Sequence, residues 1–334
     1  MLLQLTGEEA GSERQAFSQL TSIAVRLEPS PSRQLKSRAT NHLALCFSGI
    51  NRSLKWTFGS IKRSILDVLD AADSSYDVFF HTYSLRTLNS PHAGELGVDV
   101  QGGPFEEALA FQTHLRRYSV TLQGEFDAVF TLPEYAMREG EFGFDSTTVR
   151  NVFRNMNSLR EVTVLWEEES VYLRDSRHAP YTLVLYLRPD LFYHDALDVS
   201  LLWQAALATS SFLSPTWQTF SGLNDRVAIG SPAVMRVFGR RLDFLEAVEA
   251  KTQSPWLIPE VFLKVVMVEL HAFSPIAWDN FRASRVRATG RILCYDFWSS
   301  YDGIGNPVAP ECSPYHAHVP SCHIATPRSC RAPQ

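Results

Sequence analysis

Apolar positions along this chain change period from one stretch to the next, and the changes predict alternating strands and helices. His42-Leu-Ala-Leu-Cys-Phe47 is a short apolar run ending at Ser48-Gly49, as a buried parallel strand does on entering a turn. Ile61, Ile65, Leu66 and Leu69 then recur at three-to-four spacing, which gives a helix one buried face. Tyr76-Asp-Val-Phe-Phe-His81, rich in aromatic and branched side chains, reads as the next strand. Strand, glycine turn, helix and strand make a βαβ unit, so the expected class is α/β.

Further along, Pro91, Gly94, Gly97, Gly102 and Gly103 mark 85–104 as loop. The spacing of Phe105, Leu109 and Phe111 predicts a short helix over 104–117, and 128–132 fits a strand or a loop. A longer helix is predicted over 146–169, capped by Asp145-Ser-Thr-Thr148, with Val149, Val152, Phe153, Met156, Leu159 and Val162 as its stripe. Tyr181-Thr-Leu-Val-Leu-Tyr-Leu187 is a clear strand, and Pro189 enforces its exit from the sheet. The apolar stretch 201–215 fits helix or strand. Val227-Ala-Ile-Gly230 is a short strand, followed by a helix with Ser231 as cap and Pro232 at its first position. A buried helix is predicted over 255–273. In the extended stretch 280–290, alternation puts Arg285 and Arg287 on one side.

The chain has 334 residues, 45% apolar and 20% charged, ample for one large α/β domain or two smaller ones. Its formal net charge of −5 lacks the basic surplus of a nucleic-acid binder. Five cysteines are too few and too uneven for a disulfide framework. Cys312, Cys322 and Cys330 share a Pro-rich tail with His316, His318 and His323; these are zinc-type ligands, but no C-x-x-C pair spaces them. No apolar run is long enough to span a membrane, and Glu8 and Glu9 stop the apolar start before a signal segment forms. The expected organisation is a flexible extension over 1–40, a domain over 41–300 and a tail over 301–334. A soluble, cytoplasmic protein is favoured. A Golgi or other secretory lumen would fit if the N-terminus were truncated. Asn51-Arg-Ser53 is a formal glycosylation sequon, but a glycan there would block the turn discussed next.

Chemistry gathers at strand ends. Gly49, the helix opening after it and the nearby Arg52 make a natural anion site, because free N–H groups and the helix dipole point at the turn. Ser48-Gly-Ile-Asn-Arg-Ser53 is neither G-x-G-x-x-G nor a Walker loop, which counts against a P-loop kinase or sulfotransferase. Arg188 and Asp190 close a buried strand where open α/β sheets keep their ligand crevice. There Asp190 can reach a metal or a sugar hydroxyl, and Arg188 a phosphate. Asp225 and Arg226 form a second crevice element. Glu260, a carboxylate on a buried helix, needs a partner and is expected to have a shifted pKa. Arg285 and Arg287 suit a diphosphate. Each has a plainer reading: a solvated turn, a strand-end ion pair, a carboxylate on a helix dipole, a solvated basic strand.

Ala44-Leu-Cys-Phe-Ser-Gly-Ile-Asn-Arg-Ser-Leu-Lys-Trp-Thr57, Ser60-Ile-Lys-Arg-Ser-Ile-Leu66, Tyr76-Asp-Val-Phe-Phe-His-Thr-Tyr83, Leu187-Arg-Pro-Asp-Leu191 and Asn224-Asp-Arg-Val-Ala-Ile-Gly-Ser231 occur in this order. That succession, over roughly 41–294, resembles a family of glycosyltransferase-like proteins found in algae, protists and large viruses. The resemblance implies a Rossmann-like, three-layer GT-A-like sheet with helices on both faces. It implies a nucleotide-sugar donor and a glycan or protein acceptor. Gly49 and Arg52 would sit at the nucleotide turn, and Arg188 and Asp190 where such transferases keep a D-x-D metal motif. Asp225 and Arg226 would face the acceptor, either Asp225 or Glu260 would serve as the catalytic base, and Arg285 and Arg287 would match a late Arg-x-Arg. Mn²⁺ or Mg²⁺ is the usual cofactor of that arrangement, but Arg-Pro-Asp offers one carboxylate instead of two, which leaves arginines as the alternative to the ion. The alternative is a degenerate member that binds a nucleotide, glycan or protein without turnover.

Overall fold

Eight strands form one mixed sheet in the computed structural model, which describes residues 23–26, 42–50, 52–90, 94–100, 111, 114–131, 146–176, 179–206, 208–252, 258–290 and 292. Across the sheet they run β1 (Ile23–Arg26), β6 (Leu115–Leu122), β3 (Ser75–Ser84), β2 (His42–Ser48), β7 (Leu183–Leu187), β10 (Ala228–Gly230), β9 (Ser211–Pro215) and β11 (Ser274–Trp278). β6, β3, β2 and β7 are mutually parallel, and β10 returns antiparallel to β7. β2 is buried at every position. Its side chains alternate between layers, with Leu43, Leu45 and Phe47 on one face and Ala44 and Cys46 on the other.

The first face is covered by α1 (Leu54–Ile61), a π turn (Lys62–Leu66) and α2 (Asp67–Ala71). Ile61, Ile65, Leu66 and Leu69 supply the packing, joined by Leu202 of the helix Val199–Ala206. The second face is covered by the 30-residue helix Ser146–Asp175 and by the helix Pro232–Gly239. Leu159, Val162 and Trp166 of the first and Val234, Met235 and Phe238 of the second pack there. The α/β, three-layer sheet with helices on both faces is therefore the observed class. Gly239 is what lets the two outer helices close up: a Cβ there would lie 2.0 Å from Thr163 Oγ1 and 2.2 Å from the Tyr186 hydroxyl.

Chain order fixes where a ligand can go. From β2 the chain moves outward to β3 and β6, then returns to β7 on the other side of β2. The carboxyl ends of β2 and β7 thus flank a topological switch point, where open sheets leave a crevice. Because β10 runs antiparallel to β7, the residues just ahead of Ala228 lie at that same edge.

Some expectations change. The segment read as loop carries a hairpin of its own, β4 (Thr87–Ser90) and β5 (Glu95–Asp99), separate from the main sheet. The end of the predicted 104–117 helix is strand instead. β6 has β3 on one side and β1 on the other, so ladder pairing outweighs the local helical spacing. Ala128 and Val129 close a helix, Gln123–Val129, in place of a strand or loop. The stretch 201–215 divides into the end of Val199–Ala206 and β9. The 255–273 helix is Pro259–Lys264 continued by a π turn, Val265–Leu270. Arg285 ends β12 (Ala283–Arg285), which pairs with β8 (Leu191–Tyr193). β1 falls within the stretch expected to be an extension. Asn51, Arg291, Asp145, the rest of that extension and the Cys/His tail lie outside the described residues. Among the described residues no helix is long and apolar enough to cross a membrane.

Candidate functional site

The turn after β7 is clamped through its backbone. Arg188 N–H donates to the Tyr193 hydroxyl at 3.2 Å, and that hydroxyl donates back to the Arg188 carbonyl at 3.1 Å. Thr57 of α1 donates to the Pro189 carbonyl at 2.5 Å, and Val286 N–H to the Asp190 carbonyl at 2.8 Å. The backbone polar groups freed when Pro189 ends the strand are thereby satisfied from three neighbouring segments.

This turn delivers Asp190 into a nest of guanidiniums. Asp190 is 1% exposed. Its Oδ1 accepts from Arg188 Nε at 2.8 Å, and its Oδ2 from Arg188 Nη2 at 2.8 Å and Arg52 Nη2 at 2.9 Å. Burial alone would raise its pKa, but Arg188 and Arg52 outweigh that and hold the carboxyl well below the usual range. The other branch of Arg52, Nη1, donates to Glu95 Oε2 at 2.5 Å. Glu95 also accepts the Ala288 N–H at 2.8 Å, with Arg287 Nη1 3.7 Å away. Burial lowers the pKa of Arg287, and the charges of Arg52 and Arg285 lower it further, so three guanidiniums crowd one place.

A second group adjoins the first. Asn224, fully buried, accepts from the N–H groups of Arg226 and Val227 and donates to the Trp217 carbonyl. This fixes the approach to β10 and sets Arg226 Nη1 3.2 Å from both Asp225 Oδ1 and Glu260 Oε1. Burial, then the neighbouring Asp225 charge, pushes Glu260 up to about 7. Burial opposes ionisation of Asp225 too, but Arg226, Arg241 and Arg188 win and lower it. Gly222 brings the loop onto Glu260: a Cβ at Gly222 would lie 2.0 Å from the Glu260 carbonyl oxygen. The same loop holds Gln218, Phe220 and Ser221 at positive φ, strain of a kind that gathers at functional sites. Arg241 is fully buried 3.8 Å from Asp225, and among the described residues none of its three guanidinium nitrogens has a hydrogen-bond partner.

The residues expected from sequence thus converge, with one distinction. Arg52, Arg188, Asp190, Asp225, Arg226, Glu260, Arg285 and Arg287 are linked by contact or by mutual charge. Gly49, at φ 114°, instead turns its N–H inward to Ser158 Oγ at 2.7 Å. Ser158 contacts His81 Nδ1 at 2.7 Å, and burial lowers that imidazole to about 3, so it stays neutral. Two members, Glu95 and Arg241, went unforeseen. Glu95 lies between glycines in what reads as loop, and Arg241 is one basic residue among several at a helix end.

The residues present do not fit a divalent cation at Asp190. Both carboxylate oxygens are taken by guanidinium donors, and an Mn²⁺ or Mg²⁺ ion there would face Arg52 and Arg188 directly. Among the described residues no group of three His, Cys, Asp or Glu side chains is arranged to hold a metal ion. What the arrangement can do is neutralise a multiply charged anion. Six arginines (52, 188, 226, 241, 285 and 287) face four carboxylates (Glu95, Asp190, Asp225 and Glu260), leaving a positive surplus.

No family model and no curated protein sequence matches the chain. Among solved structures it is similar to the galactosyltransferase LgtC in complex with donor and acceptor sugar analogues, at 9% identity over 71% of this chain and 72% of that one, with a TM-score of 0.35. An active-site mutant of LgtC overlaps at 12% identity over the same shares, with a TM-score of 0.36. At those scores the likeness is too loose to assign an activity.

Proposed function

We propose that this protein is a glycosyltransferase of GT-A-like architecture, moving a sugar from a nucleoside-diphosphate sugar to an acceptor hydroxyl. One observation carries the reading: a positively charged cluster of arginines lies at the switch point of a parallel sheet. A diphosphate leaving group gathers negative charge as the sugar departs, and prearranged guanidiniums lower that barrier. Arg52, Arg188, Arg285 and Arg287 take this role in place of a metal ion. Bond making needs a proton acceptor for the hydroxyl. Glu260, poised near neutrality by burial and by Asp225, suits it better than Asp225, whose proton affinity is low.

The test is calorimetric titration with UDP, GDP and their sugars, each with and without Mn²⁺. Binding that needs no metal and falls at least about tenfold in Arg52→Ala or Arg285→Ala is expected. Binding that requires Mn²⁺ and vanishes in Asp190→Ala would overturn the arginine assignment. Absence of all nucleotide binding would leave in its place the degenerate member that binds a glycan or protein without turnover, which the complete internal pairing of Asp190 favours.

A further inference from the structure

Glu95 is held in an unusual way. It lies on β5, in a hairpin that pairs with neither of the other sheets. Along β5 it is the one fully buried position, at 3% exposure, while its neighbour Leu96 is 68% exposed. Val98 is only half-buried, opposite Leu88 of β4, so the carboxylate is the one fully buried anchor of this strand. The partners of that carboxylate are Arg52 Nη1, the Ala288 N–H and, at longer range, Arg287. Two guanidiniums and a backbone amide form a donor set suited to a phosphate group. Arg52 meanwhile keeps its other branch on Asp190, so removing Glu95 would leave it anchored and aimed.

We infer that Glu95 is an internal stand-in for a ligand phosphate, and that a diphosphate binds this cluster by displacing Glu95 and freeing β5. The inference rests on the reading of the cluster as a diphosphate site. Exchange of one anion for another keeps the arginines compensated at every stage, and the displaced carboxylate is repaid by water. The occluded form lowers apparent affinity in proportion to its population, which makes Glu95 a determinant of which anions bind: a single weak charge does not dislodge it, and a diphosphate does.

Inorganic pyrophosphate without metal is the probe, because it carries the shared chemistry and neither base nor sugar. Calorimetry on the full chain should show E95Q binding pyrophosphate at least about tenfold more tightly than wild type. Equal or weaker binding by E95Q, or no binding by either protein, overturns the inference. A second measurement needs no variant. In wild type, saturating pyrophosphate should speed amide hydrogen exchange across 87–99, and unchanged or slower exchange overturns displacement. Failure of the glycosyltransferase reading looks different: pyrophosphate still binds and frees the hairpin, but UDP, GDP and their sugars bind no better than pyrophosphate itself.

Discussion

Arg52 Nη2 lies 2.9 Å from Asp190 Oδ2, joining residues 138 positions apart in the chain across the switch point of the sheet. One follows β2 and the other follows β7, so the contact ties together the two strand ends that flank the switch point. It is almost fully buried, which makes each partner costly to leave alone.

Asp190→Asn should therefore destabilise the fold by roughly 3 kcal/mol near pH 6, since Arg52 and Arg188 would lose their shared counter-charge. The pH dependence has a definite sign. The folded carboxyl has a depressed pKa, so its contribution is complete above the unfolded value of about 4 and is lost as pH falls through the folded one. Urea unfolding of wild type and variant at pH 6 and pH 3 should show the gap narrowing at the lower pH. A gap that is the same at both would mean that the carboxylate charge is not what holds this turn.

Glu260 behaves in the opposite sense. Its folded pKa lies above the unfolded value, so the native state binds the extra proton and stability declines as pH rises from about 4.5 toward about 7. Glu260→Gln should gain on wild type across that interval, by on the order of 3 kcal/mol at most. Melting curves at pH 5 and pH 8 read the difference. If Glu260 is also the base, Glu260→Gln should abolish sugar transfer while leaving UDP affinity within about threefold. A variant that loses UDP binding instead would place Glu260 in the diphosphate site.

Gly222→Ala tests how tightly the second group is assembled. Its Cβ would meet the Glu260 backbone at 2.0 Å, and the Leu223 N–H now bonds the Glu260 carbonyl at 2.9 Å. The collision is with backbone, so neither side can yield by turning a rotamer. A loss of roughly 2 to 3 kcal/mol is expected in denaturant unfolding. A loss under about 0.5 kcal/mol would show that the 216–223 loop is free to move away from Glu260.

Much of this site was legible in the sequence because its residues sit at the ends of strands that announce themselves. β2 and β7 are unbroken apolar runs, and the polar residues where they stop, Arg52, Arg188 and Asp190, stand out against them. Asn224-Asp-Arg226 stands out for the same reason ahead of β10. Glu95 offers no such contrast, since among the described residues of the hairpin only Leu88 is a buried apolar residue and no period marks either strand. The helical spacing of Phe105, Leu109 and Phe111 gives no sign that Arg116 and Arg117 lie on the strand β6. In the fold both pair with the buried Glu169, a carboxylate 52 or 53 residues away that local spacing cannot reveal. The inward role of Gly49 depends likewise on Ser158, 109 residues distant.

Arg241 gives the sharpest separation of function from stability. Among the described residues this fully buried guanidinium has no hydrogen bond, so Asp225 at 3.8 Å and the Phe238 ring offset its desolvation cost only in part, and burial lowers its pKa despite Asp225 and Glu260 nearby. Asp225 keeps Arg226 at 3.2 Å if Arg241 is removed. Arg241→Met, which fills similar space without charge, should therefore melt no lower than wild type, as happens when a residue is retained for binding at the expense of the fold. The same variant should bind UDP at least about tenfold more weakly in calorimetry, because one of the guanidiniums supplying the positive surplus is gone. A variant that melts several degrees lower with unchanged affinity would make Arg241 a structural counter-ion of Asp225 and remove it from the ligand site.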